Sequence, residues 1–143
     1  MVDGPIDAVK AAGAEVVLSI NASPYNREKP YIRKTLMAAH CQRTGLPLVY
    51  LNQIGGQDEL IFDGCSKVFD AAGNMTHRLA AFAEQTTLLQ LNECNVIPMT
   101  APVAELPPLA QVYEAWYWRY VTTSPRMALM GQCWVYLAAL TQH

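Results

Sequence analysis

The chain has 143 residues, 52% of them hydrophobic and 15% charged, which suits one globular domain with a real core and excludes a disordered segment. A net charge of −2 and a pI near 5.9 argue against nucleic acid or an anionic membrane surface as a partner. No apolar run approaches the ~20 residues of a membrane span. The opening Met-Val-Asp-Gly-Pro lacks the basic start and apolar stretch of a secretory leader, so a cytoplasmic location is expected.

In chain order, Ile6 to Ala12 reads as a short amphipathic helix, with Pro5 suited to its first turn and Gly13 to its stop. The nearly continuous apolar run Val16 to Ile20 predicts a strand buried on both faces. Asn21 to Lys29 is a loop, and residues 31–44 form a helix whose expected core stripe is Ile32, Leu36 and Ala39. Gly45 and Pro47 close it, and Leu48 to Leu51 is the next strand. This helix–strand–helix–strand order predicts an α/β unit with parallel strands. Gly55–Gly56 permit a tight turn or positive φ. Beyond them Leu60–Phe62, Ser66–Phe69, Thr76–Phe82 and Thr86–Asn92 read as short strands, with a turn at residues 70–74. Asn95 to Pro108 holds four prolines and reads as a linker, and Leu109 to Ala115 starts a helix.

Cys41, Cys65, Cys94 and Cys133 have no metal-ligand spacing and read as structural free thiols. His40, His77 and His143 are scattered, so no metal site is expected, and His40 reads as a helix residue rather than a base.

Two blocks carry chemistry. In SINASPYNREK, residues 19–29, a strand ends at Asn21, Ser23 presents a hydroxyl before Pro24, and Lys29 follows. A hydroxyl and a cation at the C-terminal edge of a strand can hold the polar end of an amino acid, because ligands gather at such edges in α/β sheets. In VYLNQIGGQDELIFDG, residues 49–64, Asn52 and Gln53 leave a strand, and Gln57, Asp58 and Glu59 precede the next. With AAGAEVVLSINASPY at 11–25, PLVYLNQIGGQDELIFDG at 47–64 and KVFDAAGN at 67–74, the chain resembles the glutaminase (carbon–nitrogen hydrolase, nitrilase-like) domain of glutamine-dependent NAD synthetases over residues 1 to about 115.

The resemblance implies an α/β fold, part of a four-layer αββα sandwich, whose incomplete sheets expose edges and apolar faces. It implies that Ser23 and Lys29 contact the glutamine substrate and that Asn52, Gln53 and Asp58 belong to the loop beside the site. It further implies a parent enzyme that cleaves glutamine to ammonia and, with ATP and magnesium, amidates nicotinate adenine dinucleotide. The family's cysteine nucleophile, glutamate base and lysine precede the segment that matches Met1–Pro5, so no catalytic residue is expected in this chain and it should not hydrolyse glutamine alone. The rival reading is a non-catalytic interaction or oligomerisation fragment, paired with a like chain or with the missing N-terminal half.

The tail departs from the resemblance. All three tryptophans follow Ala115, and no acidic residue follows Glu114. Back-translation of residues 116–143 in the neighbouring phase can read LVLALRDYVTKNGFNGAVLGLSGGIDSAL, which carries the SGGxDS loop of the synthetase domain. Trp116–Tyr117 forces Val there, and Met127–Ala128 and Trp134–Val135 each force Gly. The expected organisation is thus 1–97 as glutaminase half-domain, 98–108 as proline-rich linker, and 109–143 as the start of the synthetase domain, out of frame from about 116. The bland alternative is an apolar helical hairpin over 109–140. Resequencing the DNA around codon 115 should reveal a one-base change of phase; an unbroken frame with no SGGIDS in the neighbouring phase overturns it.

Overall fold

A computed structural model describes residues 4–57, 60–92, 95–99 and 134–138, with the backbone alone at residues 57 and 134–138. Helix α1 spans Pro5–Ala11, strand β1 Val17–Asn21, helix α2 Lys29–Thr44 and strand β2 Leu48–Asn52. Strands β3 (Ile54–Gln57), β4 (Leu60–Asp63), β5 (Lys67–Phe69) and β6 (Met75–Arg78) follow. The remaining strands are β7 (Thr86–Asn92), β8 (Asn95–Pro98) and β9 (Trp134–Ala138).

The main sheet has the order β1-β2-β5-β6, with β1 and β2 parallel and the later pairs antiparallel. The parallel pair confirms the α/β unit, since α2 supplies the crossover that parallel strands require. One face of this sheet packs Val17, Leu48, Tyr50 and Phe69 against Met37 and Cys41 of α2. The other packs Val49 and Val68 against Leu89 of β7 and Val96 of β8. The layers therefore run helix, sheet, sheet, in keeping with an α/β sandwich.

Helix α2 begins over Asn26, whose side-chain oxygen accepts the N–H groups of Glu28 and Lys29 at 3.0 and 2.8 Å. It ends at Gly45 in the left-handed conformation (φ 68°), whose N–H donates to the Cys41 carbonyl. The Lys10 ammonium also bonds the Thr44 carbonyl, and Asp7 of α1 pairs with Arg43, so the two helices are tied at that end. Arg43 holds the Asp7 carboxyl below its usual range. Burial pushes the Cys41 thiol up to about 11, as befits an inert core cysteine.

Four expectations are corrected. Ile32 and Leu36 are 53% and 49% exposed and Ala39 is also exposed, while Pro30, Arg33, Met37, Cys41 and Thr44 face inward. Both stripes have helical spacing; the inner one wins because Arg33 finds a buried carboxylate and Met37 and Cys41 fill the space over Leu48 and Phe69. In β1, Leu18 and Ile20 are 50% and 82% exposed, because among the described residues the strand ends the sheet and the cluster under it takes in Val49, Val68 and Val16 but neither of these two. Of the two alternatives at Gly55–Gly56, the tight turn is absent, since both lie inside β3, paired with Phe62 and Ile61, while the positive φ holds at Gly55 (140°). Asn95–Pro98 is no linker but the edge strand β8, with Pro98 at its end, where a missing N–H costs least.

The rest of the expected 98–108 linker, the helix expected at Leu109 and the tail expected to be out of frame lie outside the described residues, except Trp134–Ala138. These five residues form β9, parallel to β7 from Thr86↔Trp134 to Gln90↔Ala138, so they are not part of a helical hairpin. Among the described residues no helix is long and apolar enough to cross a membrane.

The turn at residues 70–74 locks the β5–β6 pair against α2. Asp70 accepts the Asn74 N–H at 2.8 Å, and Gly73 sits at φ 85°. A Cβ at Gly73 would meet the Ala38 carbonyl at 2.7 Å and Gln42 Cγ at 2.8 Å, so backbone strain and backbone collision coincide. Gly73→Ala should cost about 1–3 kcal/mol in urea unfolding; a change within experimental error would show that this turn does not constrain α2.

Candidate functional site

The C-terminal ends of β1 and β2 meet the loop at residues 22–28 and the start of α2, and a buried polar network organises this corner. Asn52, the last residue of β2, is fully buried. Its side-chain oxygen accepts the Ser23 N–H at 2.8 Å, and its amide nitrogen donates to the Ser23 carbonyl and to Asp63 Oδ1, both at 3.3 Å. Its backbone N–H donates to the Ser66 hydroxyl at 3.0 Å. Asp63, at the end of β4, accepts both its short bonds from Arg33 Nη2, at 2.7 and 2.6 Å. Arg33 in turn donates from Nε to the Lys29 carbonyl at 3.3 Å.

One continuous chain of polar contacts therefore joins Ser23 to Lys29 through Asn52, Asp63 and Arg33. The clamp uses the main chain of Ser23 and leaves its hydroxyl out of the network. Lys29 sits in the first turn of α2, its backbone held by Asn26 and Arg33 and its side chain half-buried. Gln53 contributes its backbone, donating to the Asn21 carbonyl at 3.0 Å and accepting from Gly64 at 3.0 Å, which ties β1 to the β3–β4 hairpin. Asp58 lies outside the described residues.

Burial opposes the charge on Arg33, but the hydrogen bond and charge of Asp63 outweigh it and hold the guanidinium above its ordinary pKa. The guanidinium also stands 6.0 Å over the Tyr50 ring. The loop is closed from outside by Tyr25, whose N–H donates to the Ile61 carbonyl at 2.6 Å and whose ring meets Phe82 edge-on at 5.1 Å. Burial, reinforced by the nearby Asp63 carboxylate, raises the Tyr25 phenol above 10.

Sequence reasoning selected Ser23, Lys29, Asn52 and Gln53 but missed Arg33, Asp63 and Ser66, which hold them in place. A signal existed: Arg33 is four residues after Lys29 on one helix face, and Asp63 interrupts an apolar strand. Among the described residues no three His, Cys, Asp or Glu side chains gather in a way that could hold a metal ion.

The chain is similar to several known proteins. A glutamine-dependent NAD(+) synthetase from Rhodobacter capsulatus is 45% identical over 84 residues, 59% of this chain and 15% of the relative. One from Synechocystis sp. is 35% identical over 104 residues, 73% of this chain and 18% of the relative. The solved glutamine-dependent NAD+ synthetase of Acinetobacter baumannii, in complex with ADP, superposes with a TM-score of 0.54 at 36% identity, covering 56% of this chain and 15% of that one. Over this stretch the chain is similar to glutamine-dependent NAD(+) synthetases. Its α/β arrangement is shared with part of that solved synthetase. No family model matches the chain. The chain spans about 15% of the length of the first synthetases it matches.

The network predicts a measurable coupling. Arg33→Met or Asp63→Asn alone leaves one buried group without its partner and should cost about 3–5 kcal/mol in urea unfolding. The double variant Arg33→Met/Asp63→Leu should recover most of that loss. Single variants costing under about 1 kcal/mol would show that the pair does not organise this corner.

Proposed function

We propose that this chain forms one wall of the glutamine pocket of a glutamine-dependent NAD(+) synthetase, with Ser23 and Lys29 as its glutamine-contacting groups. The observation that carries this reading is the Asn52 clamp, which fixes the Ser23 backbone through both its N–H and carbonyl while leaving the hydroxyl for a ligand. Arg33 fixes the first turn of α2, and with it the Lys29 backbone, from the same buried network. The two groups, one neutral and one cationic, suit the polar end of an amino acid.

On this reading Asn52, Asp63 and Arg33 are positioning residues, and the bond-breaking groups of glutamine hydrolysis lie outside this sequence. The ammonia so released would amidate nicotinate adenine dinucleotide in the synthetase part of the intact enzyme. ATP and magnesium enter only there, and no described residue is assigned to either.

The rival reading, an interaction fragment, has its own support. Leu18 and Ile20 on the end strand, and Tyr31, Ile32 and Leu36 on α2, are exposed apolar side chains. A like chain or the N-terminal part of the domain would cover them. Self-association that buries Ile20 without any effect of glutamine would favour this second reading.

The test is a chimera in which these residues replace the matching segment of the Rhodobacter capsulatus synthetase. Glutamine-dependent NAD formation should survive the exchange. Ser23→Ala or Lys29→Met in the chimera should raise the KM for glutamine roughly 10–100-fold, the loss of one hydrogen bond to a charged ligand, with ammonia-dependent synthesis unchanged. An unchanged KM for glutamine in both variants overturns the assignment.

A further inference from the structure

We propose that the Cys65 thiol and the Lys67 amine form a peroxide-sensitive modification site, in which a covalent sulfur–nitrogen link joins the two side chains. The pair stands where β4 passes into β5. Neither Ser23 nor Lys29 takes part, so the site does not rest on the glutamine reading.

The geometry already brings the reacting atoms together. Lys67 Nζ lies 3.5 Å from Cys65 Sγ and is anchored there by the Cys65 carbonyl, which accepts its bond at 2.7 Å. Residues two apart on a regular strand stand about 6–7 Å from each other, whereas here the Lys67 side chain folds back over a kink to reach the sulfur. At that kink Cys65 takes φ 51°, directly after Gly64 at φ 61°. A non-glycine side chain in this left-handed region is strained, and such residues gather at functional sites. Cys65 and Lys67 are 1% and 3% exposed, so packing holds the encounter in place. Burial outweighs the answering Cys65 and Asp63 groups and draws the Lys67 ammonium below its ordinary pKa, which enlarges the share of neutral amine, the form that attacks sulfur. Lys67 also lines a cavity of 90 Å³ beside the exposed Tyr31, with room for an oxidant little larger than water.

Hydrogen peroxide is the oxidant. The Cys65 sulfur attacks one peroxide oxygen, the O–O bond breaks, and a sulfenic acid and one water result; sulfur gives up the two electrons that peroxide gains. The neutral Lys67 amine next attacks that sulfur. The S–N bond forms, the S–O bond breaks, and the departing hydroxide takes the amine proton to leave as a second water. Thiol, amine and peroxide thus give one sulfenamide and two waters, and a dithiol reverses the link by reducing the sulfur while becoming a disulfide itself. Cys65 and Lys67 flank Ser66, whose hydroxyl accepts the Asn52 N–H, so the link lies directly against the Asn52 clamp.

The experiment treats the full folded chain with hydrogen peroxide, digests it with trypsin without reductant and reads the peptides by mass. Trypsin cuts after Lys67 only while its amine is free, so residues 44–67 and 68–78 are separate peptides before oxidation. After oxidation they should appear as one peptide, 44–78, lighter by two hydrogens, with loss of the separate 68–78 peptide. Dithiothreitol added before digestion should restore the cleavage. Cys65→Ser should abolish the joined peptide, and Lys67→Arg, which keeps the charge without the nucleophilic amine, should leave a sulfenic acid that dimedone labels. If either variant does not fold, the mass and fragment ions of the joined peptide decide alone. Continued cleavage after Lys67, with Cys65 recovered as a thiol, a disulfide, a sulfinic acid or a link to the Ser66 backbone nitrogen, overturns the proposal, as does a joined peptide of any other mass.

Discussion

The described structure depends on one buried ion pair and the amide beside it. Arg33 and Asp63 come from elements thirty residues apart, and neither is tolerable in a core alone, since an isolated buried charge costs several kcal/mol. Pairing them fixes which face of α2 turns inward and where β4 ends. Asn52 then connects that pair to the Ser23 loop. Replacing such a pair with apolar residues is often neutral for stability, so its value here is positional: it sets two loop segments at one sheet corner in a single arrangement.

A buried polar corner thus sits beside a core that leaves apolar groups exposed. The core lies in two patches, one on each face of the main sheet, and each is made of a few well-buried side chains. Around them the end strand and the outer face of α2 carry apolar groups into solvent. The polar network thus stands in contrast to a periphery that exposes apolar side chains.

Much of the element order was legible along the chain. The parallel β1–β2 unit, the strand at Thr86–Asn92 and the stop at Gly45 appear as read, because apolar runs and chain-breaking residues report local backbone preference directly. The errors share a cause. Ile32 and Leu36 have the same spacing as Met37 and Cys41, and periodicity cannot say which stripe meets the sheet. Gly55–Gly56 have the composition of a turn, and only the pairing with Ile61 and Phe62 makes them a strand. Asn95–Pro98 became a strand because β7 offered a partner, whatever the prolines that follow.

The sequence by itself carried the likeness to glutamine-dependent NAD(+) synthetases. Its two motifs, NASPY at residues 21–25 and NQIGGQDELIFDG at 52–64, combine residue types and spacing that a generic core does not need. It also marked Ser23 and Lys29, since a hydroxyl and a cation at a strand end are visible without coordinates. Only the tertiary structure decided what holds them. Arg33, Asp63 and Ser66 act through contacts between residues far apart in the chain, and Lys67 meets Arg78 only because a hairpin register places them face to face. Local sequence encodes local preference; the pairing of buried charges is a property of the packed chain, because their cost and its compensation arise only when water has been excluded from both.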